Sequence, residues 1–257
     1  MANYPAYYPA FRVAFPIAGN STGQSNNPRA IFGNSLQLWL DAADPATITS
    51  VAGATSQWAD KSANGYHATQ GTGARQPTTG LNTLNGRNVL NFDGGDDMSV
   101  NSALGAIMNG ANTCWIVMRR ATEAGGSTRA FTMSTSGTSN YTIDYSSTAG
   151  SIFCRHNNAS TGISNAGNTN TNFQLVRFRR NGTTQAVSVN NNTETSNTSA
   201  ANVATVNEVT IGALVTSGRL VGDIAEIIMV NSSYDASASQ TIRINQYITA
   251  KWGLTLA

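Results

Sequence analysis

From residue 36 onward, short apolar runs with strand-type alternation recur between clusters of glycine, asparagine and other turn-forming residues. Regularly spaced short strands are typical of β-sandwiches and barrels, and the alternating helices of a parallel α/β fold are not evident in the pattern. The runs are SLQLWLD, NVLNFDG, CWIVMRR, RAFTMST, YTIDYSS, SIFCRHN, FQLVRFRR, AVSVNN, EVTIGAL and DIAEIIMV. The pair Asn181-Gly182 predicts a hairpin after FQLVRFRR, because both residues tolerate positive φ. The pattern therefore predicts an all-β domain.

One segment near the C-terminus has helical periodicity instead. Asp235 is the predicted N-cap of ASASQTIRINQYITAKW, and Gly253 is the predicted C-cap. Trp252, at the end of this helix, is expected to pack in the interior rather than to offer a platform for a ligand. By contrast, the Asn- and Thr-rich tract 190–202 is predicted to be a long exposed loop.

The first 35 residues have a different composition, in which prolines alternate with aromatic residues and a Gly/Ser/Asn-rich stretch follows. Proline fixes φ and disfavours helix, so residues 1–35 are predicted to form an extended arm and linker. An extended peptide cannot bury its own rings. The aromatic residues of the arm are therefore predicted to bind a partner surface; they are Tyr4, Tyr7, Tyr8, Phe11 and Phe15.

The charge content argues against several partners. Only 11% of the residues are charged and the net charge is +2. The densest basic cluster is the trio Arg177, Arg179 and Arg180, with the first two on one face of a predicted strand. We interpret this trio as a solvated strand end. Nucleic-acid binding is therefore not expected. No apolar run approaches the roughly 18 residues of a membrane span, and the N-terminus lacks the pattern of a signal peptide.

Five sequence blocks carry a family resemblance. The outer two are LQLWLDAADPATIT (36–49) and GDIAEIIMVNSSYDASASQTIRINQYITAKWGL (222–254), and between them lie QWADKSANGYHATQ, LNGRNVLNFDGGDD and FQLVRFRRNGTTQAVSVN. Together they resemble the laminin-G-like branch of the concanavalin A-like lectin jelly rolls. The resemblance implies a two-sheet antiparallel jelly-roll sandwich over residues 36–257, with a short C-terminal helix.

The resemblance also implies a function, because sequences with these blocks are similar to proteins of tailed-phage particles and of bacterial surface assemblies. The leading hypothesis is a structural virion protein: a capsid decoration, spike or fibre module assembled in the host cytoplasm. Its expected partners are other virion proteins, bound through the arm, and further copies of itself. The alternative is a carbohydrate-binding module that recognises a host-surface glycan, with aromatic platforms among Trp58, Tyr66, Trp115 and Tyr141.

Metal binding and catalysis are not predicted, although some relatives of this fold bind calcium and others are glucanases. Six aspartates cluster near turns, at Asp41, Asp44, Asp60, Asp93, Asp96 and Asp97. Their spacing does not match an EF-hand, so we expect them to accept backbone N–H bonds in tight turns. The glutamates Glu123, Glu194, Glu208 and Glu226 do not form the E-x-D-x-x-E pattern of glucanases.

The remaining reactive side chains are also given structural roles. His67 and His156 lack the nucleophile elbow G-x-S-x-G, so a catalytic triad is not expected. Cys114 and Cys154 lie in apolar strands and are predicted to be buried thiols, with a disulfide between them left open. No cofactor, metal or enzymatic activity is therefore predicted.

Overall fold

The computed structural model describes residues 26–122, 126–136, 138–146, 150–156, 163–166, 171–199, 205–215 and 217–257. The arm residues Tyr4, Tyr7, Tyr8, Phe11 and Phe15 lie outside this range. The helices are α1 (Pro28–Phe32) and α2 (Ser239–Trp252), and 3-10 turns occupy Gly33–Ser35, Pro45–Thr47, Gly73–Arg75 and Ser102–Asn109. The strands are β1 (Leu36–Asp41), β2 (Ile48–Val51), β3 (Ala54–Trp58), β4 (Ala68–Thr69), β5 (Thr83–Leu84), β6 (Arg87–Asn88), β7 (Leu90–Asp93), β8 (Met98–Val100), β9 (Asn112–Arg120), β10 (Thr128–Thr135), β11 (Thr138–Tyr145), β12 (Ser151–His156), β13 (Ile163–Ala166), β14 (Gln174–Asn181), β15 (Thr184–Val189), β16 (Thr195–Thr198), β17 (Glu208–Ile211) and β18 (Val221–Val230).

Two antiparallel sheets form the sandwich. The seven-stranded sheet has the order β1-β18-β9-β14-β15-β16, with β7 also paired to β18. The nine-stranded sheet has the order β13-β12-β11-β10-β17-β8-β4-β3-β2, and β5 and β6 form a separate small hairpin. The predicted all-β jelly-roll class with a short C-terminal helix is thus confirmed.

Strand β9 shows why the sandwich acquires a third layer. Side chains alternate along a strand, and in β9 both sets are apolar. Cys114, Ile116 and Met118 face the core between the sheets. Trp115 and Val117 face the opposite side, where α2 packs. Both cysteines, Cys114 and Cys154, are free and buried, as predicted for their thiols.

The domain begins earlier than residue 36, the predicted boundary. Asn27 caps α1 by accepting a hydrogen bond from the backbone N–H of Ala30. Ile31 and Phe32 of α1 are buried in the apolar layer between the seven-stranded sheet and α2, which we call the helix-side layer. The centroid of the Phe32 ring lies 5.2 Å from that of Trp115. Residues 28–35, which the sequence assigned to the linker, therefore pack as part of the folded domain.

Helix α2 begins at Ser239, later than predicted. Asp235 accepts hydrogen bonds from the N–H groups of Ser237 and Ala238, so it fixes the turn before the helix instead of capping it. Gly253 ends the helix in the left-handed conformation, with φ 70°, as predicted. Within the described ranges, neither helix is long and apolar enough to cross a membrane.

Two predicted loops also differ in detail. The hairpin after β14 forms, but its two-residue turn is Gly182-Thr183, and Gly182 rather than Asn181 adopts positive φ. The tract 190–202 is not wholly a loop, because its residues Thr195–Thr198 form β16 and pair with β15. Alternating polar residues without an apolar face hide such an edge strand from a search for strand periodicity.

Candidate functional site

A buried carboxylate, that of Glu226, lies between the seven-stranded sheet and α2. Strand β18 turns this side chain toward the helix, where it is 1% exposed. Its Oε1 accepts hydrogen bonds from Trp39 Nε1 at 2.7 Å, Tyr247 OH at 2.6 Å and Lys251 Nζ at 3.1 Å. Its Oε2 accepts one from Trp252 Nε1 at 2.5 Å. Strand β1 and helix α2 thereby share a single buried acceptor.

Both lysines of the chain converge on Asp41, which lies opposite Glu226 in the register of β1 and β18. Lys251 Nζ lies 2.5 Å from Asp41 Oδ1, and Lys61 Nζ lies 2.9 Å from Asp41 Oδ2. Lys61 also binds Asp44 Oδ2 at 2.7 Å. We call Asp41, Lys61, Glu226, Tyr247 and Lys251 the lysine–carboxylate cluster.

Burial sets the direction of the pKa shift for two members of this cluster, Glu226 and Tyr247. It raises the pKa of Glu226 above its ordinary value, although the charge of Lys251 opposes the rise. Burial also raises the pKa of Tyr247, and the neighbouring Glu226 adds to the effect. At the rim, the hydrogen bond from Lys61 lowers the pKa of Asp44. Glu226 therefore holds a proton more readily than an exposed glutamate.

A cavity of about 730 Å³ opens over the cluster, and we call it the lysine pocket. Its lining combines two aromatic rings with several hydrogen-bonding side chains; the residues are Asn26, Asn27, Trp39, Asp41, Lys61, Arg87, Gln246, Tyr247, Ala250 and Lys251. The Lys61 ammonium lies 4.3 Å from the centroid of the Trp39 ring. A concave site with a few converging polar groups is what small-molecule ligands require.

The aromatic platforms proposed from the sequence lie elsewhere. Trp58 and Tyr141 are fully buried between the sheets, and Trp115 is 1% exposed beneath α1. Tyr66 is half-buried and packs against the same inter-sheet core. The first three cannot stack on a sugar, because their positions on the strands turn them inward.

The clustered aspartates have the predicted turn-fixing role in several cases. Asp60 accepts from the backbone N–H groups of Trp39, Ser62 and Tyr66. Other backbone donors bind Asp41, Asp44, Asp93 and Asp96. Asp97 differs, since its carboxylate binds Arg75 and Arg219 at 2.7 Å each. Within the described ranges, no group of three or more His, Cys, Asp or Glu side chains is arranged to hold a metal ion.

The interpretation of the arginine trio as a solvated strand end is wrong. Arg177 is 2% exposed and Arg180 is 4% exposed. Arg177 and Arg179 share one face, as predicted, and both bind Glu194, at 3.0 and 2.6 Å. Arg180 points the other way and lies 2.8 Å from His156 Nε2. Glu194, in the loop after β15, thus compensates the charges of Arg177 and Arg179.

A second polar group of residues occupies the outer face of the nine-stranded sheet. Asp144 is 2% exposed there and accepts a hydrogen bond from the hydroxyl of Thr142. Arg129 Nε lies 3.7 Å from Asp144 Oδ2, and the Arg155 guanidinium lies 5.6 Å from the Phe153 ring centroid. Burial raises the pKa of Asp144 to about 7 despite the opposing charge of Arg129.

Sequence reasoning missed the pairing of Asp41 with Glu226, because the two residues are separated by most of the chain. The sequence pattern shows only that Glu226 does not belong to an E-x-D-x-x-E motif. One feature of the sequence could have indicated the cluster: the chain has only two lysines, and both lie in the blocks that carry the family resemblance. Their convergence on one aspartate is visible only in three dimensions.

No protein-family model matches the chain, and no curated protein matches it by sequence. Solved structures do match its fold. Trypanosoma rangeli sialidase in complex with the inhibitor DANA aligns with a TM-score of 0.59 and 14% identity, over 83% of this chain and 33% of the sialidase. The same enzyme in complex with sialic acid aligns with a TM-score of 0.58 and 12% identity, over 85% of this chain and 34% of its own.

A botulinum toxin domain is similar to the same degree. The binding domain of botulinum neurotoxin DC in complex with rat synaptotagmin II aligns with a TM-score of 0.59 and 9% identity, over 83% of this chain and 52% of the other. Its complex with SialylT aligns with a TM-score of 0.57. This chain spans about a third of the sialidases and half of the toxin domain. At these identities the likeness shows a lectin-like β-sandwich fold alone.

Proposed function

We propose that this chain is a glycan-binding β-sandwich module, carried on a larger assembly, and that its glycan site is the lysine pocket. The observation that supports the proposal is the lining of this pocket, where the half-buried ring of Tyr247 and the largely buried Trp39 lie among amide, ammonium and guanidinium donors. Aromatic rings pack against the apolar face of a sugar, while fixed polar groups bind its hydroxyls.

The same geometry favours binding over cleavage. In its common two-carboxyl form, glycoside hydrolysis needs one carboxyl group free to donate a proton and a second one facing it across the bond. Glu226 already accepts four hydrogen bonds, and Asp41 is bound by both lysines. Asp41 in the pocket lining and the buried Glu226 beneath it are therefore engaged within the protein, and the proposed module is not a hydrolase of this two-carboxyl kind.

The charges of the pocket favour an acidic sugar. Lys61 and Lys251 of the lining are already paired with carboxylates of the protein. Arg87, also in the lining, donates its Nε to the backbone carbonyl of Lys251 and makes no ion pair among the described residues, so its guanidinium is the cation offered to an anionic ligand. Arginine and lysine recognise carboxylates through charge-assisted hydrogen bonds. Solved proteins of similar fold include complexes with sialic acid and with SialylT, which is compatible with this ligand class.

A glycan array probed with the full chain tests the proposal. We expect sialylated or other carboxylated glycans to bind, and Arg87→Ala and Gln246→Ala each to weaken binding about tenfold, as for the loss of one hydrogen bond to a charged ligand. Gln240→Ala, on the same helix but outside the pocket lining, is the matched control and should bind like the wild type. Binding that is equal in all variants, or no glycan binding at all, would contradict the proposal.

For the assembly itself we propose a virion, in which the chain is a decoration, spike or fibre module. The support comes from the sequence: five aromatic residues alternate with prolines in residues 1–16 and need a partner surface. Other virion proteins are the proposed partners of this arm, and further copies of the chain complete a homo-oligomer. Glycan binding and attachment to a particle are compatible, because they use different parts of the chain.

A further inference from the structure

We propose that the side chains of Lys251 and Asp41 become joined by an intramolecular isopeptide bond, with Glu226 as the catalytic carboxyl group. The contacts that engage these carboxylates within the protein also place them next to a nucleophile, the amine of Lys251. Lys251 Nζ lies 2.5 Å from Asp41 Oδ1 and 3.1 Å from Glu226 Oε1. An amine, a carboxyl group and a second carboxyl group able to move protons between them are the components that amide formation requires.

The three groups are held by rigid elements. Asp41 ends β1, Glu226 lies opposite it in β18, and Lys251 lies in the last turn of α2. The side chains of Asp41, Glu226 and Lys251 are 6%, 0% and 12% exposed. A nucleophile held in such a geometry reacts as if it were present at very high concentration.

The carboxyl group of Glu226 is placed to take up a proton from Lys251, because its Oε1 already accepts a hydrogen bond from Nζ. Three indole or phenol groups surround Glu226, since Trp39, Trp252 and Tyr247 all donate to it. The raised pKa of Glu226 fits a group that accepts a proton and returns it.

The atoms balance without an added reactant. Glu226 removes a proton from the Lys251 ammonium, and the lone pair of Nζ forms a bond to Asp41 Cγ. Lys61, 2.9 Å from Oδ2, stabilises the negative charge that grows on that oxygen. Nζ loses a second proton, the bond from Cγ to Oδ1 breaks, and Oδ1 leaves as water with the two protons that Nζ has lost. Oδ2 remains as the amide carbonyl oxygen, and no net charge is gained or lost.

The bond would close a loop that includes nearly all of the sandwich. Asp41 and Lys251 are 210 positions apart, so the cross-link would tie the C-terminal helix to the first strand. Constraining a loop of this length reduces the entropy of the unfolded chain in the same way as a disulfide does. Unlike a disulfide, the amide is indifferent to reducing agents.

Intact-mass measurement on the purified full-length chain tests the proposal. We expect a mass lower than that of the sequence by one water molecule, and a branched peptide that joins the segment with Asp41 to the segment with Lys251. Lys251→Arg and Glu226→Gln should restore the full mass. Gln240→Ala, on the same helix, should still lose the water.

The peptide map separates this reaction from others. Asp93-Gly94 can also lose water by forming a cyclic imide, which leaves no branched peptide. A wild-type mass equal to that of the sequence, or a water loss confined to Asp93-Gly94, overturns the proposal. A branched peptide that persists in Glu226→Gln overturns the catalytic role of Glu226. If this variant does not fold, the wild-type map still decides whether the bond exists.

Discussion

Buried carboxylates in this molecule differ in how fully their charge is compensated. Asp97 binds two arginines, and Glu226 accepts four hydrogen bonds. Asp144 accepts one from Thr142, while its nearest ion-pair partner, Arg129, is 3.7 Å away. An under-compensated buried carboxylate favours its protonated form. Asp144 is therefore a residue whose titration is coupled to stability near neutral pH.

The first prediction is that Asp144 makes the protein less stable as the pH rises toward neutrality. Its pKa in the folded state is about 7, against 3.8 ordinarily, so the folded state binds the proton more tightly than the unfolded state. The resulting stabilisation is complete below about pH 4 and is lost as the pH rises through 7. At about 1.4 kcal/mol for each pH unit between the two values, it is at most about 4 kcal/mol.

Denaturant unfolding at several pH values between 4 and 8 measures this effect. Asp144→Asn should flatten the decline in the free energy of unfolding over that range. Asp96 has a pKa raised to about 6, mainly by burial, so part of the decline should remain in Asp144→Asn and be reduced in Asp96→Asn. An unchanged pH profile in Asp144→Asn would contradict the prediction.

A second residue-scale prediction concerns Gly212, which has φ +80° and packs against a ring. A Cβ at this position would lie 2.5 Å from a carbon of Phe92, which is fully buried. Gly212→Ala should therefore add a steric clash of about 1–3 kcal/mol to a backbone strain of about 1–2 kcal/mol. Gly80→Ala is the matched control, because Gly80 has φ +79° with nothing within 4 Å of the added atom. Equal losses of stability in the two variants would show that the contact with Phe92 has no effect.

At the scale of elements, the sequence pattern predicts the strands, because their formation depends on residues that are close together in the chain. Each of the ten apolar runs contains a strand, because alternation within a run already specifies which side faces a core. The start of α2 was placed too early, since an aspartate that fixes a turn has the same sequence signature as one that caps a helix. The burial of Arg177 and the Asp41–Glu226 pair were not predictable, because both depend on partners that arrive from a distant loop or strand.

Helix α2 supplies the third prediction, because one side of it is buried and the other is open. Ile248 is fully buried in the helix-side layer, whereas Ile242 is 50% exposed. Ile248→Ala should lower the free energy of unfolding by about 2–5 kcal/mol through the cavity it leaves. Ile242→Ala should change it by less than about 0.5 kcal/mol. Urea unfolding of both variants tests whether α2 belongs to the cooperative unit, and similar losses in both would contradict its placement.

At the scale of the whole molecule, the fold alone does not specify the function. Sialidases and a toxin binding domain align over most of this chain, at TM-scores between 0.57 and 0.59 for the complexes compared above. The function of this chain therefore depends on the sites built on the sandwich. The lysine pocket is such a site, because residues just before α1 and the last turns of α2 cover side chains of β1, Lys61 and the start of β6. The N-terminal arm is a further addition, with its own proposed task.

The last prediction separates the arm from the domain by two truncations. Removing residues 1–20 leaves α1 intact, and we expect a melting temperature within about 2 °C of the wild type, which corresponds to at most about 1 kcal/mol for a domain of this size. Removing residues 1–35 also deletes Ile31 and Phe32, whose side chains are buried beside Trp115. That deletion should lower the free energy of unfolding by several kcal/mol, as the loss of a buried phenylalanine alone costs about 3–5 kcal/mol.

The shorter truncation should retain glycan binding but fail to enter the assembled particle, because it lacks the five aromatic residues of the arm. Normal incorporation of the chain without residues 1–20, or a loss of stability as large as that of the longer truncation, would show that the arm does not have the anchoring role.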